Sequence, residues 1–251
     1  MITTRSLEGG GSEPIQETMD KPSQVLRDWE LRLNLDQVLR SMGVPLIAQS
    51  RSSAVTELAE RALREGLPLV NPVVAYCRRA VVSVRHEQIT LRGGGRLSGK
   101  LVAKHLASSK EVLLIVATIS AKLEERISEV LKHDTAYALA LDGFGNAATE
   151  ALAVAACHQF AEAAATHGIY TTAPLSPGMI GWSVEVGQRE IFALLDTKAI
   201  GLQLTSSGLM IPRKSLSMVI GVGPEAMAGV DTCEYCAMRS TCRYRDHYQT
   251  Q

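Results

Sequence analysis

The chain has 251 residues, of which 46% are apolar, material for one large domain with a small appendage. Its 26 basic residues balance 26 acidic ones, which excludes bulk electrostatic attraction to nucleic acid or anionic lipid as the main activity, and 4% aromatics are too few for a base-stacking platform. The strongest apolar run, Val112 to Ile119, falls far short of the ~20 residues of a membrane span, and Met1 does not lead into a signal peptide, so a cytoplasmic chain is expected.

Residues 1–24 combine Gly-Gly-Gly and two prolines with no apolar period, the composition of a disordered leader. Leu31, Leu35, Val38 and Leu39 then fall on one helical face, stopped by Gly43. A second helix is expected from about Ala54 to Glu65, with Ser53 as cap, Glu57/Arg61 and Glu60/Arg64 as i,i+4 pairs, and Gly66 as its end. From Val70 the residues turn β-branched. VNPVVAYCRRAVVSV and HEQITL, split by a polar turn near Arg85, predict a hairpin. RGGGR (92–96) is a further turn, and SGKLVAKHLAS a short helix.

Val112–Ile119 is expected to form a fully buried strand. Ser120 caps a following helix with a Leu123, Ile127, Val130, Leu131 stripe. The longest helix is placed at 147–167, rich in alanine and closed by Gly168, with Asp142 before GFGN open to a functional or a turn-and-cap role. A shorter helix covers about Gln188 to Asp196. Two alternating strands follow, through Ile200, Leu202 and Leu204, then Leu216, Met218 and Ile220. Helices and strands mix without a strict βαβ rhythm, so the fold class is α+β.

Familiar hydrolase and nucleotide signatures fail. Ser176 in PLSPG lacks the first glycine of a nucleophile elbow, which is Pro174 here. GVG (221–223) is too short for a dinucleotide fingerprint, and the six histidines form no HExxH. The C-terminus differs. In CEYCAMRSTC, Cys233 and Cys236 can reach one ion from a single turn, and Cys242 can fold back to add a third sulfur. Three thiolates suit a [4Fe–4S] cluster or, with one more ligand, zinc. Cys77, Cys157 and His247 are the candidate fourth ligands, with an exogenous ligand on one iron as the alternative.

The stretch from Tyr170 to Gly223 resembles the activation domain of cobalamin-dependent methionine synthase, particularly its short stand-alone relatives. SPG (176–178), Gly181-Trp182, IFALLD (191–196) and IGLQLTSSGLMIPRKSLSMVIG (200–221) carry the likeness. Upstream, LVNPVVAYCRRAVVSV, the LLIVATI strand, ALDGFGNAATEALA and LDQVLRSMG extend it to about residue 25. The resemblance implies a twisted antiparallel sheet flanked by helices over residues 25–228, followed by a Cys-rich metal-binding tail at 229–251. It also implies a role as accessory to corrinoid-dependent methyl transfer. The corrinoid would come from a partner, a corrinoid protein or cobalamin-dependent methyltransferase, because the chain has no Asp-x-His-x-x-Gly segment of its own.

The family's motif for S-adenosylmethionine, an arginine, three intervening residues, then Gly-Tyr, maps here onto Pro174, Gly178 and Met179. The group that would pair with the methionine carboxylate is therefore missing. A self-sufficient AdoMet-dependent methyltransferase and a zinc-stabilised interaction module are the alternative functions. The candidate small-molecule loop is Ser176, Pro177 and Gly178 through to Trp182, where glycine permits close approach and the indole offers a ring to stack on a corrinoid or adenine. The inferred reductive task favours [4Fe–4S] over zinc, since zinc has no redox chemistry.

Overall fold

A computed structural model describes residues 22–44, 52–224 and 240. Its centre is a seven-stranded antiparallel sheet in the order β4-β3-β2-β5-β9-β6, with β1 paired to β2 off that path. The strands are β1 (Gln24–Leu26), β2 (Val73–Arg85), β3 (Gln88–Leu91), β4 (Arg96–Ser98), β5 (Glu111–Thr118), β6 (Tyr170–Thr171) and β9 (Ser215–Gly223). A separate two-stranded ribbon joins β7 (Gln203–Leu204) to β8 (Met210–Ile211). The α+β class and the antiparallel sheet expected from the sequence are those observed.

β5 is buried along its whole length. Its register, Leu113 opposite Arg78 and Ile220, Leu114 opposite Cys77 and Val219, fixes which side chain faces which layer. Because a strand alternates its faces, Leu113, Ile115 and Ala117 enter one core and Val112, Leu114 and Val116 the other. Each buried aliphatic chain contributes about 1.5–3 kcal/mol, which is why a continuous apolar run sits in the middle of the sheet. β2 is the longest strand: residues 73–80 pair with β5, and beyond an irregularity between Val81 and Ser83 it pairs with β3.

The first core is covered by α1 (Leu35–Ser41), α2 (Ser53–Gly66), α4 (Lys122–Val130) and α5 (Thr135–Ala165). The second is closed by α3 (Lys100–His105), α6 (Val184–Leu194) and the segment around Leu175 and Trp182. An Asn34–Gln37 capping box starts α1, so Leu31 lies before the helix rather than in it. In α2 the observed i,i+4 ion pair is Arg61–Glu65, with Arg61 also over the Tyr137 ring at 3.6 Å; Ser52, not Ser53, occupies the N-cap position. Ser120 adopts φ 80° and makes no cap; Ala121 precedes α4.

The largest departure is α5. It begins at Thr135, where the Asp134 carboxylate accepts a hydrogen bond from Tyr137 N at 3.0 Å, and continues through the Asp-Gly-Phe-Gly-Asn stretch without a break. The expected strand through Ile200 is a 3-10 turn over Lys198–Ile200 followed by the short β7.

Glu111 at the head of β5 is 5% exposed, and its Oε2 lies 3.3 Å from Arg78 Nη1. Burial raises its pKa, against a smaller lowering by Arg78. A raised native pKa means the folded state binds the proton more readily than the unfolded chain. The destabilisation is therefore full above the native pKa and is relieved as pH falls through it toward the ordinary carboxylate range. Glu111→Gln should remove that contribution, so the stability gap between variant and wild type should be larger at pH 8 than at pH 5. Thermal unfolding of both proteins at the two pH values checks this; a gap that stays constant would count against the buried charge.

Candidate functional site

The segment leaving β6 stays bound to β9: Thr172 N donates to Gly221 O and Leu175 N to Val219 O, both at 2.9 Å. Two tight turns follow. Met179 N donates to Ser176 O at 3.2 Å, with Pro177 and Gly178 (φ 103°) at the central positions, a type II arrangement in which proline pre-sets the first residue and glycine supplies the positive φ of the second. Trp182 N donates to Met179 O at 2.9 Å, with Gly181 at φ 80°, and Gly178 N donates to Trp182 O at 2.8 Å, closing the loop on itself. Ser183 then caps α6, its hydroxyl accepting from Val186 N at 3.2 Å.

Ser176, Pro177, Gly178 and Trp182 are thus brought together, but not equivalently. Gly178 is exposed and Ser176 and Pro177 are half-buried. Trp182 is 1% exposed and belongs to the second core, so its ring faces are packed against protein rather than open to a ligand. Its Nε1 has no hydrogen-bond partner among the described residues. Added Cβ atoms at Gly187 would meet the indole at 2.7 Å and Pro177 Cβ at 2.9 Å, and one at Gly99 would lie 2.6 Å from Gly181 O. Glycines on α6 and before α3 therefore hold the loop by close approach. Gly187→Ala should overpack this contact and cost about 1–3 kcal/mol, read as a lowered denaturation midpoint with an unchanged slope. A neutral effect would show that the indole is not seated there.

Exposed apolar side chains at the loop are Ile180 at 58%, Val184 at 45% and Val186 at 44%, interspersed with exposed Ser183 and the Glu185–Arg189 ion pair. Beneath it, Ser217 donates to Gln188 Oε1 at 2.9 Å, a buried link from β9 to α6. His105 Nε2 lies 3.2 Å from Ala173 O, and burial holds its pKa below the usual histidine value. Pro174 is buried and Met179 folds back, its Sδ 3.5 Å from Ser176 N. Neither position presents a cation or a phenol to the surface.

Cys233, Cys236, Cys242 and His247 lie outside the described residues. Of the proposed fourth ligands, Cys77 sits in the core under the loop, its thiol directed at Leu194 O at 3.4 Å and its pKa pushed up to about 11 by burial. Cys157 packs on the opposite face of the sheet, 3.5 Å from Met218 Sδ, and burial raises its thiol as well. Both are held as protonated core thiols. Among the described residues no group of three or more His, Cys, Asp or Glu is arranged to hold a metal.

A second feature was only half visible in the sequence. Lys214 is 9% exposed, and its Nζ donates to Asp142 Oδ1 at 2.6 Å and Asn146 Oδ1 at 2.7 Å, while its backbone N donates to Glu124 Oε1 at 2.6 Å. Two separated blocks, ALDGFGN and IPRKS, meet in this network. Beside it opens a pocket of about 230 Å³ lined by Asn146, Thr149, Arg213 and Lys214 among others. Asp142 therefore acts mid-helix as the partner of a buried lysine rather than in a turn.

These elements define an α+β domain whose antiparallel sheet carries four helices on one face and a closed loop with two helices on the other. The crystal structure of the MetH reactivation domain bound to AdoHcy superposes on it with a TM-score of 0.60, at 12% sequence identity, covering 87% of this chain and 85% of that one. The chain has the fold of that reactivation domain. No family model matches the sequence, and no curated protein matches it.

Proposed function

We propose that this protein assists corrinoid-dependent methyl transfer in trans, capping or reductively reactivating the cofactor of a separate cobalamin protein. The observation that carries the reading is the reactivation-domain fold over 87% of the chain, together with a closed loop at Ser176–Trp182 that exposes Ile180 and is followed by exposed Val184 and Val186. The exposed backbone of Gly178 and the Ile180, Val184 and Val186 side chains supply the contact surface in this reading, with Trp182 as its buried footing. S-adenosylmethionine is the less supported ligand, since a buried Pro174 stands where the family's arginine would pair with its carboxylate.

Cys233, Cys236 and Cys242 are proposed as ligands of a [4Fe–4S] cluster, with zinc as the alternative. A thiolate-bound cluster reaches potentials down to about −700 mV, low enough for corrinoid reduction, whereas zinc could only staple the tail. With Cys77 and Cys157 committed to the two cores, the fourth position falls to His247 or to an exogenous ligand.

The experiment mixes the anaerobically purified full chain with a cob(II)alamin-loaded corrinoid protein and follows the corrinoid's visible spectrum, with iron and zinc measured on the same sample. A spectral change that depends on this chain is the expected result. No spectral response and no complex would overturn the reading. One zinc and no iron would remove the electron-transfer part and leave capping alone. Calorimetric titration with AdoMet forms the control: clear binding would favour the methyltransferase alternative, as the structural neighbour's AdoHcy hints.

A further inference from the structure

Net neutrality conceals a strong segregation of charge. Between Arg78 and Lys110 the chain carries eight lysines and arginines against a single carboxylate, Glu87. That segment builds the outer half of β2, then β3, β4 and α3. Opposite pairing fixes the faces. Ile89 and Leu97 pair and are buried in the second core, so Thr90 paired with Arg96, and Arg85 paired with Gln88, lie on the other face of the three-stranded flap. Arg85 and Arg96 are exposed there.

β4 is the edge strand of the sheet. Past it, Gly99 turns the chain into α3, whose Leu101, Val102 and Ala103 are buried while Lys100 and Lys104 are exposed. Residues four apart share a helix face, so the two lysines form a second basic patch on the side of the sheet that α3 covers, and edge strand β4 lies between that patch and the arginines. Among the described residues none of these four cations has a carboxylate partner. The segment contains no Phe, Tyr or Trp, which leaves no stacking platform for nucleic-acid bases. Val82, 61% exposed, adds an apolar spot on β2. Arginine is among the side chains enriched at protein interfaces.

The geometry points to the β4–α3 rim, with Arg85, Arg96, Lys100 and Lys104, as a docking surface for an acidic protein surface. The rim abuts the candidate loop: a Cβ at Gly181 would lie 3.7 Å from Leu101 N and 3.9 Å from Lys100 Cβ. A partner that engages the α3 lysines would therefore lie beside Ser176–Trp182. This deepens the proposed function by naming the chemistry of the partner's surface, and it rests on that reading only for which protein the partner is.

The test needs no corrinoid. A fluorescein-labelled polyglutamate peptide is titrated with the full chain and followed by anisotropy at about 50 mM and about 500 mM salt. A duplex DNA and a neutral peptide serve as comparisons. Binding to polyglutamate that is lost at high salt is expected. The exposed triple variant Arg96→Glu, Lys100→Glu, Lys104→Glu should weaken it by about tenfold or more at an unchanged melting temperature, because charges at an interface act chiefly on attraction and orientation. A charge-neutral Leu139→Ser variant, at an exposed position of α5 outside the rim, provides a second folded control. If polyglutamate does not bind, or binds the triple variant equally, the proposal falls and the charges serve only to keep edge strand β4 from pairing with other chains. Tighter binding of DNA, lost in the same variant, would reassign the rim to nucleic acid. Either failure leaves the corrinoid experiment untouched, and a corrinoid failure alone leaves the rim standing.

Discussion

Trp182→Ala should be the most damaging single substitution at the candidate loop, lowering stability by about 3–5 kcal/mol. The indole is 1% exposed and ranks among the largest fully buried side chains of the molecule. It fills the space between Gly187 of α6, Pro177 of the loop and Gly99 before α3. Truncation would leave a cavity lined by three separate elements, none of which can close it without moving the loop. Denaturant unfolding of the variant provides the measurement. A loss below about 1 kcal/mol would mean that the site collapses freely and that the ring is not the footing described. Trp182→Phe should retain most of the stability, since it keeps an aromatic ring in the cavity.

This placement also explains what the sequence could and could not convey about the site. Ser-Pro-Gly followed two residues later by Gly-Trp is legible as turn chemistry, because proline at the second position and glycine at the third specify the type II turn directly. The fate of the tryptophan is not legible. Whether an indole lies on the surface or in the core depends on Gly187 and Gly99, whose missing side chains make room for it from elsewhere in the chain. The buried strand β5 was evident from its uninterrupted apolar run, and the β2–β3 hairpin from its β-branched residues and polar turn. α5 begins at Thr135, twelve residues ahead of the start at 147 that the sequence suggests. Asp-Gly-Phe-Gly-Asn has the local preferences of a turn, yet burial overrides them. A Cβ at Gly143 would meet Met42 Cγ at 2.5 Å, and one at Gly145 would meet Leu123 Cδ2 at 2.8 Å. Those glycines are contact points for neighbouring elements rather than helix stops, and a helix propensity cost of about 1 kcal/mol each is offset by that packing. The charge-neutral total likewise hid the basic rim, because composition carries no information about where charges fall.

The same stretch of α5 supports the second large prediction. Phe144 is fully buried in the helical core, and a Cβ at Gly66, the last residue of α2, would lie 2.5 Å from its ring. The α2–α5 seam closes on this contact, reinforced by the hydrogen bond from Tyr137 Oη to Glu65 and the Arg61–Glu65 ion pair. Phe144→Ala should cost about 3–5 kcal/mol, the usual range for deleting a buried ring. Gly66→Ala should cost about 1–3 kcal/mol by overpacking from the other side. Because the two residues touch, the effects should not add. In Phe144→Leu/Gly66→Ala the smaller side chain makes room for the new methyl, so the double variant should lose less than the sum of the two single changes. Strict additivity in denaturant unfolding would show that the ring does not rest on Gly66. The non-additive result would tie the α2–α5 packing to a glycine that, in the sequence, reads only as a helix end.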